Sequence, residues 1–143
     1  MTGSRAAIAG GCLCGALRYA ASAAPAMAGY CFCADCRKAS GSGFMPFMNF
    51  DAAALRFSGA ARQHVGRAAR GTDSVRNFCP TCGGLVFGGI IGIDTDHTIY
   101  AGSLDDPAAF TPRIGIFARD RPAWVPLPPD ITVFDTMPDR RTE

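Results

Sequence analysis

The feature that most constrains this chain is the placing of its seven cysteines, which fall into three tight groups. Cys12-Leu13-Cys14 is a C-x-C pair, Cys31 through Cys36 a C-x-C-x-x-C triplet, and Cys79-Pro80-Thr81-Cys82 a C-x-x-C pair. Seven is odd, so a complete disulfide framework leaves one thiol over. Two cysteines one or two residues apart on a tight turn can fill two corners of a tetrahedron around a metal ion, with each sulfur about 2.3 Å from zinc. Glycine beside such a turn lets backbone N–H groups approach the sulfurs. Gly15 follows the first pair and Gly83-Gly84 the last.

The two pairs therefore form the two halves of one closed site on Cys12, Cys14, Cys79 and Cys82, a structural zinc. The triplet stands apart. A structural zinc takes four protein ligands, and a catalytic one typically takes three and keeps an open position. Seven divides into four and three, so the spacing predicts a second, catalytic zinc on Cys31, Cys33 and Cys36, and two zinc ions per chain. Neither His64 nor His97 lies near a cysteine in sequence. Three other readings stay open: a single structural zinc with the triplet reduced or partly oxidised, redox chemistry at Cys33 and Cys36, or another metal such as an iron–sulfur centre.

Length and composition fit one domain over residues 1–143, with a motif-bearing core at about 10–125 and a tail at about 126–143. Hydrophobic residues make up 48% and charged ones 18%, an ordinary globular balance. A net charge of +2 argues against a nucleic-acid partner, although Arg56, Arg62, Arg67, Arg70 and Arg76 form a basic stretch. No apolar run approaches the roughly 18 residues that would span a membrane. The run from Ala6 to Ala9 is shorter than the ~7–15 residues of a signal-peptide core, which suits a cytoplasmic protein.

The remaining sequence reads as short β-strands punctuated by 17 glycines and 10 prolines, a mainly β fold. The strands are expected at Leu17–Ala20, Ala28–Cys31, Phe44–Phe50, Leu55–Ser58, Gln63–Val65, Val75–Phe78, Leu85–Gly88, Ile99–Ala101 and Arg113–Phe117. Short helical turns are expected at Asp35–Ala39 and at Asp106–Phe110, where Pro107 suits a first helical position. Arg121–Asp130, with its prolines, should be non-helical. Asp139–Glu143 reads as a frayed tail, and Trp124 as a core or edge residue. Phe44, Phe47 and Phe50 should be mainly core, beside the triplet.

Gly10-Gly11-Cys12-Leu13-Cys14-Gly15, Cys31 through Ser42 and Phe78-Cys79-Pro80-Thr81-Cys82-Gly83 resemble the glutathione-dependent formaldehyde-activating enzyme family, which also includes centromere protein V. Gly102 through Pro107 and Arg121 through Trp124 also look like that family's C-terminal half. The resemblance implies a β-tent fold of several small antiparallel sheets organised around zinc, with the four-plus-three ligand division. It also implies a carbon–sulfur lyase of the S-(hydroxymethyl)glutathione synthase type. Family members often carry histidine where this chain has Phe32, and histidine-isoleucine where it has Gly115-Ile116.

A zinc held by three thiolates is a poor Lewis acid for water but suits a thiol kept as thiolate. The partners so implied are a small thiol such as glutathione and an aldehyde, with no nucleic acid or membrane, and a homodimer is compatible with the sequence. Arg37, Lys38 and Ser40 are candidate substrate-binding residues, and the Ser40–Gly43 run can offer N–H groups to an anion. The rival reading is a non-catalytic zinc-binding protein-interaction module.

Overall fold

The computed structural model describes residues 8–68 and 71–138; Arg70 and the segment 139–143 lie outside them. In chain order the strands are β1 (Ile8–Gly11), β2 (Arg18–Ala21), β3 (Met27–Cys31), β4 (Met45–Asp51), β5 (Leu55–Ser58) and β6 (Arg62–Arg67). They continue as β7 (Asp73–Phe78), β8 (Leu85–Gly88), β9 (Asp96–Tyr100), β10 (Ile114–Ile116) and β11 (Thr132–Val133). One α-helix, α1 (Ala34–Ser40), follows the second cysteine of the triplet. A single 3₁₀ turn at Pro107–Ala109 follows Asp106, whose carboxylate accepts from Ala108 N–H at 3.0 Å.

The strands make two sheets, so the mainly β class read from the sequence is what the chain adopts. A three-stranded antiparallel sheet runs β1-β2-β5, and an eight-stranded sheet runs β11-β10-β3-β4-β9-β8-β7-β6. The larger sheet is not purely antiparallel. β10 lies between β3 and β11 and is parallel to both, with Ile114 opposite Gly29 and Thr132. Every other pairing in it is antiparallel.

The core forms where the two sheets meet. Met48 and Phe50 on β4, Val86 and Phe87 on β8, and Ile99 on β9 are fully buried there with Leu17. Burial of each such side chain contributes about 1.5–3 kcal/mol. Cys12 and Cys79 belong to the same buried cluster, so the four-cysteine group is continuous with the core. A second, smaller cluster joins Cys31 and Cys33 to Ile116 and Phe117, with Phe134 packed against it.

Several single residues fall where the sequence suggested and some do not. Phe50 is core, whereas Phe47 is half-buried beside the triplet and Phe44 packs edge-on to Tyr30 with ring centroids 4.8 Å apart. His64 is exposed on β6; His97 is buried on β9, its Nδ1 3.0 Å from the Gly88 carbonyl oxygen. Trp124 is a surface residue, 72% exposed. Pro122 to Val125 form a turn closed by Val125 N–H on the Pro122 carbonyl at 3.0 Å, which presents the indole outward while Val125 is buried.

Candidate metal centres and the cavity beside the triplet

The four-cysteine group is assembled from two turns far apart in sequence. The first turn leaves β1: Cys12 N–H donates to the Leu17 carbonyl at 3.0 Å, Gly15 N–H donates to the Cys12 carbonyl at 3.1 Å, and Leu17 N–H donates to Cys12 Sγ at 3.2 Å. The second follows β7: Gly83 N–H donates to the Cys79 carbonyl at 2.8 Å, and Thr81 N–H donates to Cys79 Sγ at 3.3 Å. Gly83 has φ +75°, a left-handed conformation that an L side chain makes costly. Backbone N–H groups directed at sulfur stabilise thiolate.

Cys12 Sγ and Cys14 Sγ lie 3.7 Å apart, as do Cys14 Sγ and Cys79 Sγ. A disulfide requires about 2.05 Å. Thiolates at the corners of a zinc tetrahedron with 2.3 Å arms lie about 3.8 Å apart. All four sulfurs fall within 4.8 Å of one another, so this donor set fits a tetrahedral metal such as zinc.

The triplet is local. Cys31 ends β3, Cys33 caps α1 with its sulfur accepting from Cys36 N–H at 3.3 Å, and Cys36 lies in the helix's first turn. Gly41, at φ 69°, stops the helix after Ser40. Cys31, Cys33 and Cys36 also lie within 4.8 Å of one another, and among the described residues no fourth His, Cys, Asp or Glu joins them.

The electrostatics of the bare thiols point the same way. Hydrogen bonds from the Cys31 and Cys36 thiols pull Cys33 down to about 2, whereas hydrogen bonding to Cys33 and Cys36, together with burial, drives Cys31 far upward. One sulfur holds a negative charge easily, and its buried neighbours then keep their protons. A divalent cation among them removes that conflict. In the four-cysteine group Cys12 is likewise pulled down to about 6, foremost by Leu17 N–H.

Cys31, Cys33 and Cys36 form part of the wall of a cavity of about 660 Å³. Across it come Arg76 from β7 and Tyr100 from the end of β9. Phe117 follows β10, and Met137 and Pro138 come from the C-terminal segment. Asp35, Asp73, Asp94 and Asp96 also border it, so Arg76 stands among carboxylates without forming an ion pair with any of the described ones.

Arg37, Lys38 and Ser40 do not line this cavity. Arg37 and Lys38 lie on α1, where positive charge in the last turn suits the helix dipole. Ser40 Oγ accepts from Ser42 N–H at 3.1 Å and lies 3.3 Å from both the Arg37 and Phe44 carbonyl oxygens. Gly41 N–H donates to the Arg37 carbonyl, so two N–H groups of the Ser-Gly run are engaged within the loop itself. Ser40 lines a separate hollow with Phe44, Leu85 and Ser103. Arg76 and Tyr100 are cavity residues that the cysteine spacing does not reveal; the sequence offered Arg76 only as part of a basic stretch and Tyr100 only as a strand residue.

The chain is thus a small β protein carrying two cysteine clusters able to bind metal ions, one of four thiols and one of three opening on a cavity. The family model for glutathione-dependent formaldehyde-activating enzyme matches residues 7–120, and the chain belongs to that family. No curated protein matches it. Among solved structures it is similar to a protein from Rhodobacter sphaeroides, at 22% identity and a TM-score of 0.50, covering 68% of this chain and 87% of that one. That likeness supports the fold. No helix among the described residues is long and apolar enough to cross a membrane.

Proposed function

We propose that this protein is a zinc-dependent enzyme of the carbon–sulfur lyase kind, which adds a small thiol such as glutathione reversibly to an aldehyde such as formaldehyde. The observation that carries the reading is the three-sulfur cluster, without a fourth protein ligand among the described residues, in the wall of a cavity large enough for a small organic substrate. Zinc bound there supplies an open position for a substrate thiol and favours its thiolate form. Cys31, Cys33 and Cys36 would hold this metal, and Cys12, Cys14, Cys79 and Cys82 would hold a second, structural one.

The chain's own residues do the rest. Met45, Phe47, Ile116 and Phe117 give the cavity apolar walls that displace water around the reacting sulfur. Arg76 offers a guanidinium to a substrate carboxylate or to developing negative charge. The free thiols suit a reducing compartment such as the cytoplasm.

The test is elemental analysis coupled to turnover. Wild-type protein purified under reducing conditions should carry about two zinc ions per chain and accelerate exchange between glutathione, formaldehyde and S-hydroxymethylglutathione. Cys36→Ser should keep one zinc and the circular-dichroism spectrum while losing the acceleration. Full activity in Cys36→Ser would sink the reading.

A further inference from the structure

Tyr100 is 9% exposed, and its ring closes the cavity where β9 meets the 3₁₀ turn at Ala101–Ser103. Its hydroxyl donates to and accepts from no described residue. Yet among the described residues no buried side-chain oxygen is left without a partner, so the hydroxyl is not sealed in protein and opens to free space. Gly88 provides part of that space. A Cβ on Gly88 would stand 3.2 Å from the Tyr100 hydroxyl oxygen, and Gly88 itself lines the cavity.

A tyrosine whose ring is buried and whose hydroxyl alone reaches the cavity presents there a hydrogen-bond donor that a phenylalanine filling the same space would lack. Burial pushes its pKa up to about 12 although Arg76 opposes the shift, so the group stays a neutral O–H donor at all ordinary pH values. Tyr100 and Arg76 line the same cavity as Cys31, Cys33 and Cys36, so one space brings the ring and the triplet together.

We propose that Tyr100 is a further catalytic residue, whose hydroxyl donates a hydrogen bond to the aldehyde oxygen while the carbon–sulfur bond forms beside the triplet. The proposal rests on the thiol–aldehyde reading above. In the addition the thiol proton leaves to solvent and the sulfur lone pair forms the new C–S bond. The C=O π pair moves onto oxygen, which is held by the Tyr100 O–H and then takes a proton from solvent; cleavage reverses these steps. Arg76, in the same wall, offsets the negative charge that appears on that oxygen. Fixed donors of this kind act where charge develops and lose little to reorganisation.

Tyr100→Phe keeps the ring and removes only the donor. In the zinc-loaded full chain it should lower the exchange rate about a hundredfold, with two zinc ions and KM for glutathione unchanged. A second readout does not depend on turnover. In protein labelled with ¹³C at tyrosine Cζ there are three tyrosines, and the variant assigns the resonance of Tyr100. S-(2-hydroxyethyl)glutathione, which carries a hydroxyl near the place of the product's, should shift that resonance and bind severalfold tighter than S-propylglutathione. Tyr100→Phe should not discriminate between the two.

Wild-type discrimination without any turnover would retire the thiol–aldehyde reading while leaving Tyr100 as the oxygen-binding group of the cavity. An unchanged exchange rate in Tyr100→Phe, or a wild-type protein that treats the two analogues alike, would overturn the proposal.

Discussion

Phe32 sits between two cysteines of the triplet, yet its side chain turns away from them. It is 1% exposed and packs among Tyr30 and Phe44, with ring centroids 6.3 and 6.1 Å away, and it is not part of the cavity wall. The alternation of an extended backbone explains this, because neighbours of inward-facing Cys31 and Cys33 must face the other side. Gly115, the second position where this chain departs from the family's frequent histidines, lies directly beneath that ring; a Cβ there would stand 3.0 Å from Phe32 Cε2. The two departures are therefore one packing unit, a large ring resting on a residue without a side chain.

Phe32→His should accordingly give no gain in thiol–aldehyde turnover. It should lower unfolding free energy by about 2 kcal/mol, read from the denaturant midpoint, because a polar ring would enter an apolar pocket. A rise in turnover would mean that the position reaches the reacting groups after all. The same alternation decides what could be read from the sequence at residue scale. Cysteine clusters announce their chemistry by spacing, since their ligands are neighbours in the chain. Arg76 and Tyr100 come to the triplet from β7 and β9, roughly 40 and 64 residues beyond it, and only the pairing order of the large sheet brings them there.

Among elements, β10 and β11 show how much of the cavity depends on a short, sequence-obscure segment. β10 docks beside β3 because Gly29 has no side chain; a Cβ there would meet the Ile114 carbonyl oxygen at 2.3 Å. β11 then fastens β10 from the far side. Thr132 N–H donates to the Arg113 carbonyl at 2.9 Å and Phe134 N–H to the Gly115 carbonyl at 2.8 Å. Phe117 N–H and Ala118 N–H donate back to the Thr136 and Phe134 carbonyls at 3.2 and 3.0 Å. These bonds hold Phe117 at φ 56°, a left-handed conformation that costs a phenylalanine about 1–2 kcal/mol. Phe117 packs with Cys31 and Cys33.

Eight strands could be read closely from alternation and turn residues; β9 is expected only at Ile99–Ala101, overlapping its last two residues, and β1 and β11 could not be read. β1 is Ile-Ala-Gly-Gly, poor in β-forming side chains, and becomes a strand because β2 pairs with it in register. β11 has two residues after a proline-rich stretch, and parallel pairing leaves no hairpin signal. Ending the chain at Val125 should therefore release Phe117 and the Met137–Pro138 wall. Zinc affinity at the triplet should fall about tenfold or more in competition with a chromophoric chelator, as it does when support behind ligands is lost, while the four-cysteine site keeps its metal. Equal affinity in the shortened chain would show that the tail does not support the triplet.

At the scale of the whole molecule the two cysteine clusters are placed differently with respect to the sheets. Cys12 and Cys14 leave the three-stranded sheet, whereas Cys79 and Cys82 leave β7 of the eight-stranded sheet, and the Cys14–Cys79 contact spans 65 residues. A metal held there would tie the two sheets together across the core. The polar side-chain ties that accompany the packed core are weaker. Arg18 and Asp105 form a bidentate ion pair with contacts of 2.8 and 2.5 Å, but both side chains are substantially exposed, and the Tyr19–Ser103 hydroxyl contact at 2.9 Å is a single hydrogen bond.

Closing a loop of that length limits the unfolded chain by about 4 kcal/mol if the metal link acts as a covalent cross-link does. The triplet, by contrast, closes only the six residues from Cys31 to Cys36, already ordered by β3 and α1. Cys79→Ser should thus lower the melting temperature by roughly 10 °C or more, since each kcal/mol is about 2–4 °C in a chain of this size. Cys36→Ser should lower it by only a few degrees while emptying one metal site. Calorimetry of both variants beside their zinc contents separates the roles. Equal losses of stability would mean that the triplet, too, is part of what holds the sheets together, and that its open coordination position is secondary to a structural task.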